Sequence, residues 1–327
     1  MTRELPGTVR VSVVIPTYNA ASVLPEQLEA LAQQTTSESF EVVVSDNGST
    51  DGLVSVLTEW QGRVPYLLRR VDASGRQGVS HARNVGVLAS DGEFVLVCDA
   101  DDAVHPGWID GHVTALATAD VTGGPTEVEK LNPGPERFWR EFPPIDDDWK
   151  LPEERAFLPW ITGANFGARR SVIEALGGWD ENLDGLGGDD LDFSWRAQLQ
   201  GFTVAAAPSA IVSYRLRPGL RATARQVYHY TVCLAPLWER FAADGLPPAK
   251  MRRAAAALVH MVFRRAHHLG RGDVARALWL VNVASAYGVF MAVIRYNLRG
   301  RRQTGWGDTL RNWAVLKSSR PADSRPI

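Results

Sequence analysis

Two clusters of carboxylates carry the chemistry this sequence can be expected to do. Asp99-Ala100-Asp101 closes one apolar run, and Asp189-Asp190-Leu191-Asp192 follows the pair Gly187-Gly188. Two carboxylates one residue apart at a strand end can lean toward one divalent cation. Hard Mg²⁺ or Mn²⁺ prefers such oxygens and keeps places for substrate phosphates. The same residues would equally serve as an acidic turn capping the next helix. The second cluster, at a helix start, gains from the macrodipole. Its other reading is that one member is a general base whose proton affinity the neighbours set. Asp46 ends another apolar run, and Asp51 lies in the turn after it. That turn is either a helix N-cap using Ser49 and Thr50 or an acceptor for a base or ribose edge. Arg76, Arg83 and the backbone around Gly75 and Gly78 offer counter-charge and N–H groups for a diphosphate. Arg83 taken singly reads as a surface salt-bridge partner.

These residues need elements to hold them. Short apolar runs alternate with helix-like stretches over the first third, the pattern of βαβ units and a mostly parallel sheet. Strands are predicted at Val11–Ile15, Phe40–Ser45, Pro65–Val71 and Glu93–Cys98. Ser22 is placed as the cap of a helix carrying Val23, Leu24, Leu28 and Leu31, and Ser80 as the cap of one running to Ala89. The polar clusters then fall at the carboxyl ends of strands, where open parallel sheets bind ligands. No GxGxxG follows the first strand and no GxxxxGK[ST] occurs, which argues against a dinucleotide fold and a P-loop. From 120 to 160 periodicity gives way to Pro, Gly, acids and Trp139, Trp149 and Trp160, as in a lid or binding loop. Residues 171–177 and 189–200 read as helical.

The 327 residues are 45% hydrophobic and 22% charged. That excludes a disulfide-stapled mini-protein, a collagen-like repeat and a wholly disordered chain. Cys98 and Cys233 cannot form a CxxC motif and point to a reducing compartment. Met1–Arg10 is polar and the apolar run after it stops at Pro16, so no secretory signal is read. The net charge of −2 hides an asymmetry: residues 1–214 carry 15 Lys and Arg against 32 Asp and Glu, net −17, and residues 215–327 carry 20 against 5, net +15.

The motifs together resemble family 2 glycosyltransferases with the GT-A fold. Val11–Ala20 is similar to their opening strand. Val42–Gly52 resembles their second strand and DDGSTDG turn, with Asn47 replacing the second Asp. Gly78–Gly86 is similar to their G-x-x-x-A-R-N-x-G helix, and Asp99–Asp102 to their DxD. Thr162-Gly163-Ala164-Asn165 through Gly177–Glu181 resembles their acceptor-side segment. Gly188–Arg196 is similar to G-E-D-x-D-[LF]-x-x-R, with Asp189 in place of Glu. Six motifs occur in order over about residues 9–215.

The resemblance implies a nucleotide-diphosphate sugar donor, a divalent metal (Mn²⁺ or Mg²⁺) and inversion at the anomeric carbon. It places Pro16, Thr17, Tyr18, Asn19, Asp46, Gly48, Arg76, Gly78, Arg83, Asp99 and Ala100 at the donor nucleotide. Asp101 and Asp99 fall at the metal. Asp190 matches the catalytic base with Asp189 beside it, and Gly163, Ala164, Asn165 and Trp179 lie on the acceptor side. Trp195 and Arg196 read as structural supports. Two departures stand out: the shorter Asp189 beside the base, and Ser213 and Tyr214 where many relatives carry a metal-binding His. Sugars stack on aromatic rings, so Trp139, Trp149, Trp160 and Trp179 are candidate sugar contacts; the alternative for each is packing.

Beyond Arg215 the chain is Ala- and Arg-rich and helical, with breaks near 245–248 and 270–272. Ala277–Ile294 gives 18 residues without a charge, the lower limit of a membrane span. Asn282, Ser285, Tyr287 and Gly288 dilute it, so a core or interfacial helix fits better. Arg252, Arg253, Arg264, Arg265, Arg299, Arg301 and Arg302 flank it and would attract anionic headgroups, or else pack on the acidic half. The expected α/β protein is therefore a GT-A catalytic domain at 1–214 and a basic, mainly helical region at 215–327. It would move a hexose to a hydroxyl of a glycan, lipid-linked glycan or small aglycone, in cell-envelope or natural-product glycosylation. It would act in the cytoplasm, with peripheral contact to the inner leaflet, and without nucleic acid, for which no motif is present. The rival readings are a non-catalytic nucleotide- or sugar-binding scaffold and a nucleotidyltransferase.

Overall fold

A computed structural model describes residues 9–146, 148–154, 157–183, 187–299 and 307–319. Arg301 and Arg302 lie outside these residues, as does the side chain of Arg299. Four β-rich runs, β1 (Val11–Thr17), β2 (Phe40–Asp46), β3 (Leu67–Asp72) and β4 (Phe94–Cys98), pair in parallel in the order β3-β2-β1-β4. α1 (Leu24–Ala32), α2 (Leu53–Trp60) and α3 (Val79–Ala89) make the crossovers. Every residue of β1 is buried, as a β-branched strand with both faces covered must be. The ladder to β2 runs the full strand, Val11↔Phe40 to Thr17↔Asp46, but the ladder to β4 stops at Val14↔Val97. Chain order reverses at β1, so β1 and β4 part at the topological switch point and a crevice opens there.

The sheet continues past β4 with β8 (Asn165–Arg169), antiparallel to both β4 and β6 (Val121–Gly123), and ends on β9 (Val204–Ala206). A second sheet of three short strands joins β5 (Ala103–Val104), β10 (Val212–Ser213) and β7 (Thr126–Glu127). α4 (Trp108–Leu116), α5 (Arg170–Leu176) and α6 (Asp189–Leu199) complete the α/β layers. The mostly parallel sheet agrees with expectation, whereas the second sheet and the antiparallel insertion of β8 have no local signal in these short segments. Both expected serine caps are displaced. α1 starts after Val23 without a side-chain cap, and α3 starts after Gly78, with Ser80 inside its first turn.

The chain then forms α7 (Leu220–Val232), α8 (Leu234–Phe241), α9 (Met251–Val259), α10 (Asp273–Arg299) and α11 (Gly307–Ser318). α10 lies along α7 so closely that a Cβ at Gly288 would fall 1.9 Å from Thr231 Oγ1. The uncharged stretch 277–294 sits inside α10, which is long and apolar enough to cross a membrane but packs partly against its neighbours. α8 shares a core with the α/β layers: Trp195 meets Phe241 edge-on at 5.4 Å and Phe157 at 5.1 Å. Arg240 of α8, 7% exposed, is ion-paired to both Asp180 and Asp192. Asp192 also pairs with Arg196 at 2.7 Å, and Arg196 donates to the carbonyls of Leu176 and Gly178. These two residues of the acidic motif thus hold α6 in place, because buried charges persist only when paired and hydrogen-bonded.

Candidate active site

The loops after β1, β2 and β4 border the crevice, and the first two are tied to each other. Asn19 adopts the left-handed conformation at φ 50°. Its side chain accepts from Thr50 N at 2.8 Å and its N–H donates to Ser49 Oγ at 2.9 Å, which fits the tolerance of Asn for this region. Pro16 and Thr17 are buried below it, while Tyr18 is 57% exposed. Asp46 is almost fully buried. Its Oδ1 accepts from Ser49 N at 2.8 Å and its Oδ2 from Arg70 at 2.6 Å. Oδ2 also accepts from Arg70 Nε at 2.9 Å, so Oδ1 is the oxygen that keeps a second lone pair for a ligand edge.

The Asn47 amide donates to the carbonyls of Ala73 and Arg76 at 2.6 and 2.7 Å and accepts from Gly78 N at 2.9 Å. A carboxylate could not make the two donations, so the departure from Asp at this position fastens the β2 loop, beside Gly48, to the start of α3. Arg76, expected to face diphosphate, instead donates to the carbonyl of Glu181 at 2.7 Å. Glu181 in turn holds His81 and Asn84.

Arg83 is the centre of the acidic crevice. Its side chain is 6% exposed, donates to Asp189 at 2.5 Å and lies 3.6 Å from Asp99. It is a buried link between the two acidic motifs rather than a surface ion-pair partner. A Cβ at Gly163 would stand 2.3 Å from the guanidinium, so only glycine lets the backbone lie on it. Gly163 N also donates to Asp190 Oδ2 at 3.4 Å, and Leu191 N donates to Oδ1 at 2.9 Å. Burial and the adjacent Asp189 push the Asp190 carboxyl up to about 7 against the pull of Arg83. A carboxylate poised near neutrality suits proton abstraction. Burial also raises Asp99, opposed by Arg83 and assisted by Asp101.

The basic region closes this end of the crevice. Arg217 meets Asp101 Oδ2 at 3.2 Å, Arg215 Nε donates to the Asp101 carbonyl at 2.8 Å and Arg215 N to Asp102 Oδ1 at 2.8 Å. Arg215 also pairs with Glu26. The sequence reading missed these contacts, although the step from acidic to basic composition at 215 was their signal. Ser213 is committed to His105 Nε2 at 3.0 Å, and the Tyr214 hydroxyl lies 3.4 Å from that of Tyr230. Neither stands as a third metal ligand, and among the described residues no group of three or more His, Cys, Asp or Glu side chains is arranged to hold a metal ion. The donor set still suits a hard cation. Asp99 and Asp101 are partly accessible, Ala100 between them is buried, and Asp102 Oδ2 is buried without a hydrogen-bond partner.

The expected acceptor residues are placed differently. Trp179 is 1% exposed, stacked on Phe193 at 4.8 Å and edge-on to Phe166 at 5.1 Å, so it is core and offers no face to a sugar. Asn165 is wholly buried and spends its amide on Trp108, His112 and the carbonyls of Pro125 and Ala210. Gly163 and Ala164 are buried under Arg83 and α6. Trp139, Trp149 and Trp160 are half-buried in the irregular segment.

A parallel sheet with acids gathered at its switch point, continued by an antiparallel strand, is the GT-A fold. Residues 12–177 match the family model "Glycosyl transferase family 2", about half of the chain, and the chain belongs to that family. It is 31% identical over 226 residues to validoxylamine A glucosyltransferase of Streptomyces hygroscopicus subsp. jinggangensis, covering 60% of this chain and 53% of that protein. It is 29% identical over 223 residues to glycosyltransferase AglE of Haloferax volcanii, covering 67% and 70%. The chain thus spans about half the length of the Streptomyces relative. Mannosyltransferase PcManGT from Pyrobaculum calidifontis, solved with GDP-Man and Mn²⁺, has the same fold at a TM-score of 0.61 and 21% identity, covering 89% and 87%.

Proposed function

We propose that this protein is an inverting hexosyltransferase that moves a sugar from a nucleoside diphosphate to a hydroxyl, with Asp190 as general base. The observation that carries the reading is the Arg83 bridge. One buried guanidinium sets the distance between the carboxylates at the β4 end and those at the start of α6. The acceptor O–H gives its proton to Asp190, the oxygen attacks the anomeric carbon, and the bond to the diphosphate breaks on the opposite face. Arg83 holds Asp189 and Asp99 through this, and the fixed loops of Asn19 and Asn47 orient the nucleoside beside Asp46. Asp99 and Asp101 would hold a Mn²⁺ or Mg²⁺ ion, which when bound neutralises charge on the leaving diphosphate. The glucosyltransferase and the GDP-Man- and Mn²⁺-bound mannosyltransferase support this choice of donor and metal.

The test is thermal stability against UDP, GDP and their sugars with and without Mn²⁺, since a ligand of the folded state raises its melting temperature. A Mn²⁺-dependent rise of about 4 °C or more is expected at roughly 100 times the dissociation constant, with most of it lost in Asp101→Ala. Folded protein that responds to no nucleotide would overturn the reading.

The basic region has a second role in this proposal: contact with the anionic inner leaflet. Phe263 is 72% and Val259 56% exposed, and Arg252, Arg253, Arg264 and Arg265 are exposed around them. Apolar groups among arginines suit an anionic interface, each charge contributing about 1 kcal/mol near the surface. Co-sedimentation with phosphatidylglycerol vesicles, weakened by 0.5 M salt and absent with phosphatidylcholine, is expected. Equal binding to both lipids, or to neither, would count against it.

A further inference from the structure

The segment expected to hold the acceptor is buried, yet another polar surface stands over the acids. Tyr214 precedes Arg215, whose N–H is fixed on Asp102, so its position at the β4 end is set by the backbone. Its hydroxyl lies 3.4 Å from that of Tyr230 on α7, and Gln226 Nε2 donates to Tyr230 at 2.9 Å and reaches Tyr214 at 3.3 Å. The Arg140 guanidinium lies over the Tyr230 ring at 5.7 Å from its centre. Burial raises the pKa of the Tyr230 phenol against the hydrogen bond with Tyr214 and the pull of Arg140, and the charges of Asp190 and Asp99 add to the rise.

Two features single out this wall. Gln226 Oε1 and Arg140 Nη1 are both shielded from solvent and lack a hydrogen-bond partner among the described residues, one an acceptor and the other a donor. Native proteins rarely leave such atoms unpaired without a reason. Beside them Tyr230 is 47% exposed. An acceptor, a donor and an open aromatic face are matched by a ring bearing several hydroxyls, because each hydroxyl both donates and accepts and the C–H face of the ring covers the arene. Charges of both signs surround the wall, Asp99 and Asp190 on one side and Arg140 and Arg217 on the other.

We propose that Arg140, Gln226 and Tyr230 form the acceptor subsite and that it takes a polyhydroxylated ring, a sugar or a cyclitol. This rests on the transferase reading above, to which it adds the class of acceptor. It also gives the basic region a part in substrate selection, since α7 supplies two of the three residues.

Saturation-transfer NMR on the full chain tests it with methyl hexopyranosides and myo-inositol, each with and without UDP or GDP and Mn²⁺. The wild type is expected to saturate the ring protons of at least one probe, and Tyr230→Ala and Gln226→Ala to reduce that signal at least fivefold. The nucleotide-induced rise in melting temperature should stay unchanged in both. Should Tyr230→Ala fail to fold, Tyr230→Leu and Gln226→Leu, which remove the arene and the amide acceptor with less loss of volume, carry the same comparison. No signal from any ring in the wild type overturns the subsite, as does a signal equal in wild type and variants. Loss of the nucleotide response in the variants also overturns it, by placing the wall at the donor. A wild type that binds rings but no nucleotide would instead sink the transferase reading and leave the ring site standing.

Discussion

Asp190→Asn is expected to lower sugar transfer by about 10²–10⁴-fold, the usual worth of a positioned general base. The nucleotide-induced rise in melting temperature should persist. Asn keeps the shape and one acceptor oxygen, which can still take the Leu191 N–H, although its NH2 cannot accept from Gly163 as Oδ2 does. That contact is 3.4 Å long, so the main loss would lie in proton abstraction. The wild type should show the same group in its pH profile. A base works only when ionised, and the Asp190 carboxyl is pushed up to about 7 by burial and by Asp189. The rate of transfer should therefore climb as pH rises through about 7 and level off above it. An ordinary carboxylate would give an acid limb near 4. Steady-state kcat/KM from pH 5 to 9 decides the matter. A profile flat across that range, or an Asp190→Asn enzyme of undiminished rate, would remove Asp190 from the mechanism.

Arg83→Ala is expected to cost about 3–5 kcal/mol of folding stability, the range for removing one partner of a buried ion pair. The 6%-exposed guanidinium holds Asp189, 11% exposed at the side chain, and stands near Asp99. Without it the carboxylates at the two ends of the crevice repel across a gap, and the Asp190 acid limb moves upward because its counter-charge is gone. Arg83→Lys should recover part of the stability, since one ammonium can pair with Asp189, but not the planar contact with Gly163. Urea unfolding at pH 7.5 reads the stability, and the pH profile reads the electrostatics. An Arg83→Ala protein with unaltered unfolding would show that the bridge contributes nothing to the fold. An unmoved acid limb would show that it does not set Asp190.

The alternating apolar runs and the acids at their ends were legible in the sequence because a buried parallel strand announces itself by an unbroken β-branched run. The turn after such a run collects polar residues by the same logic. Val11–Ile15, Phe40–Ser45 and Glu93–Cys98 fall within one or two residues of the observed strands. The order β3-β2-β1-β4, and with it the crevice, was not written in those runs: crossovers of one hand prune the possible orders, but which strand lies beside which is a long-range pairing. The basic step at 215 was visible as charge, though its contacts were not.

Other features depended on three-dimensional packing. A two-residue strand such as β5 or β10 has too little length for a period, and exists because neighbours supply its hydrogen bonds. Trp179 and Asn165 carry side chains that can meet a sugar or a hydroxyl, and residue type alone cannot tell that from burial; the packing of Phe166, Phe193 and Trp108 around them decided it. Arg83 looks like any surface arginine until α3 is laid against the loop at Gly163. Tyr230 and Gln226 lie on a helix far along the chain from the acids they approach. Local pattern therefore determined the strands, the helices and the kinds of group at the site. Which charges pair, which aromatic rings remain open and which atoms lack a partner are long-range properties, and only the tertiary structure decided them.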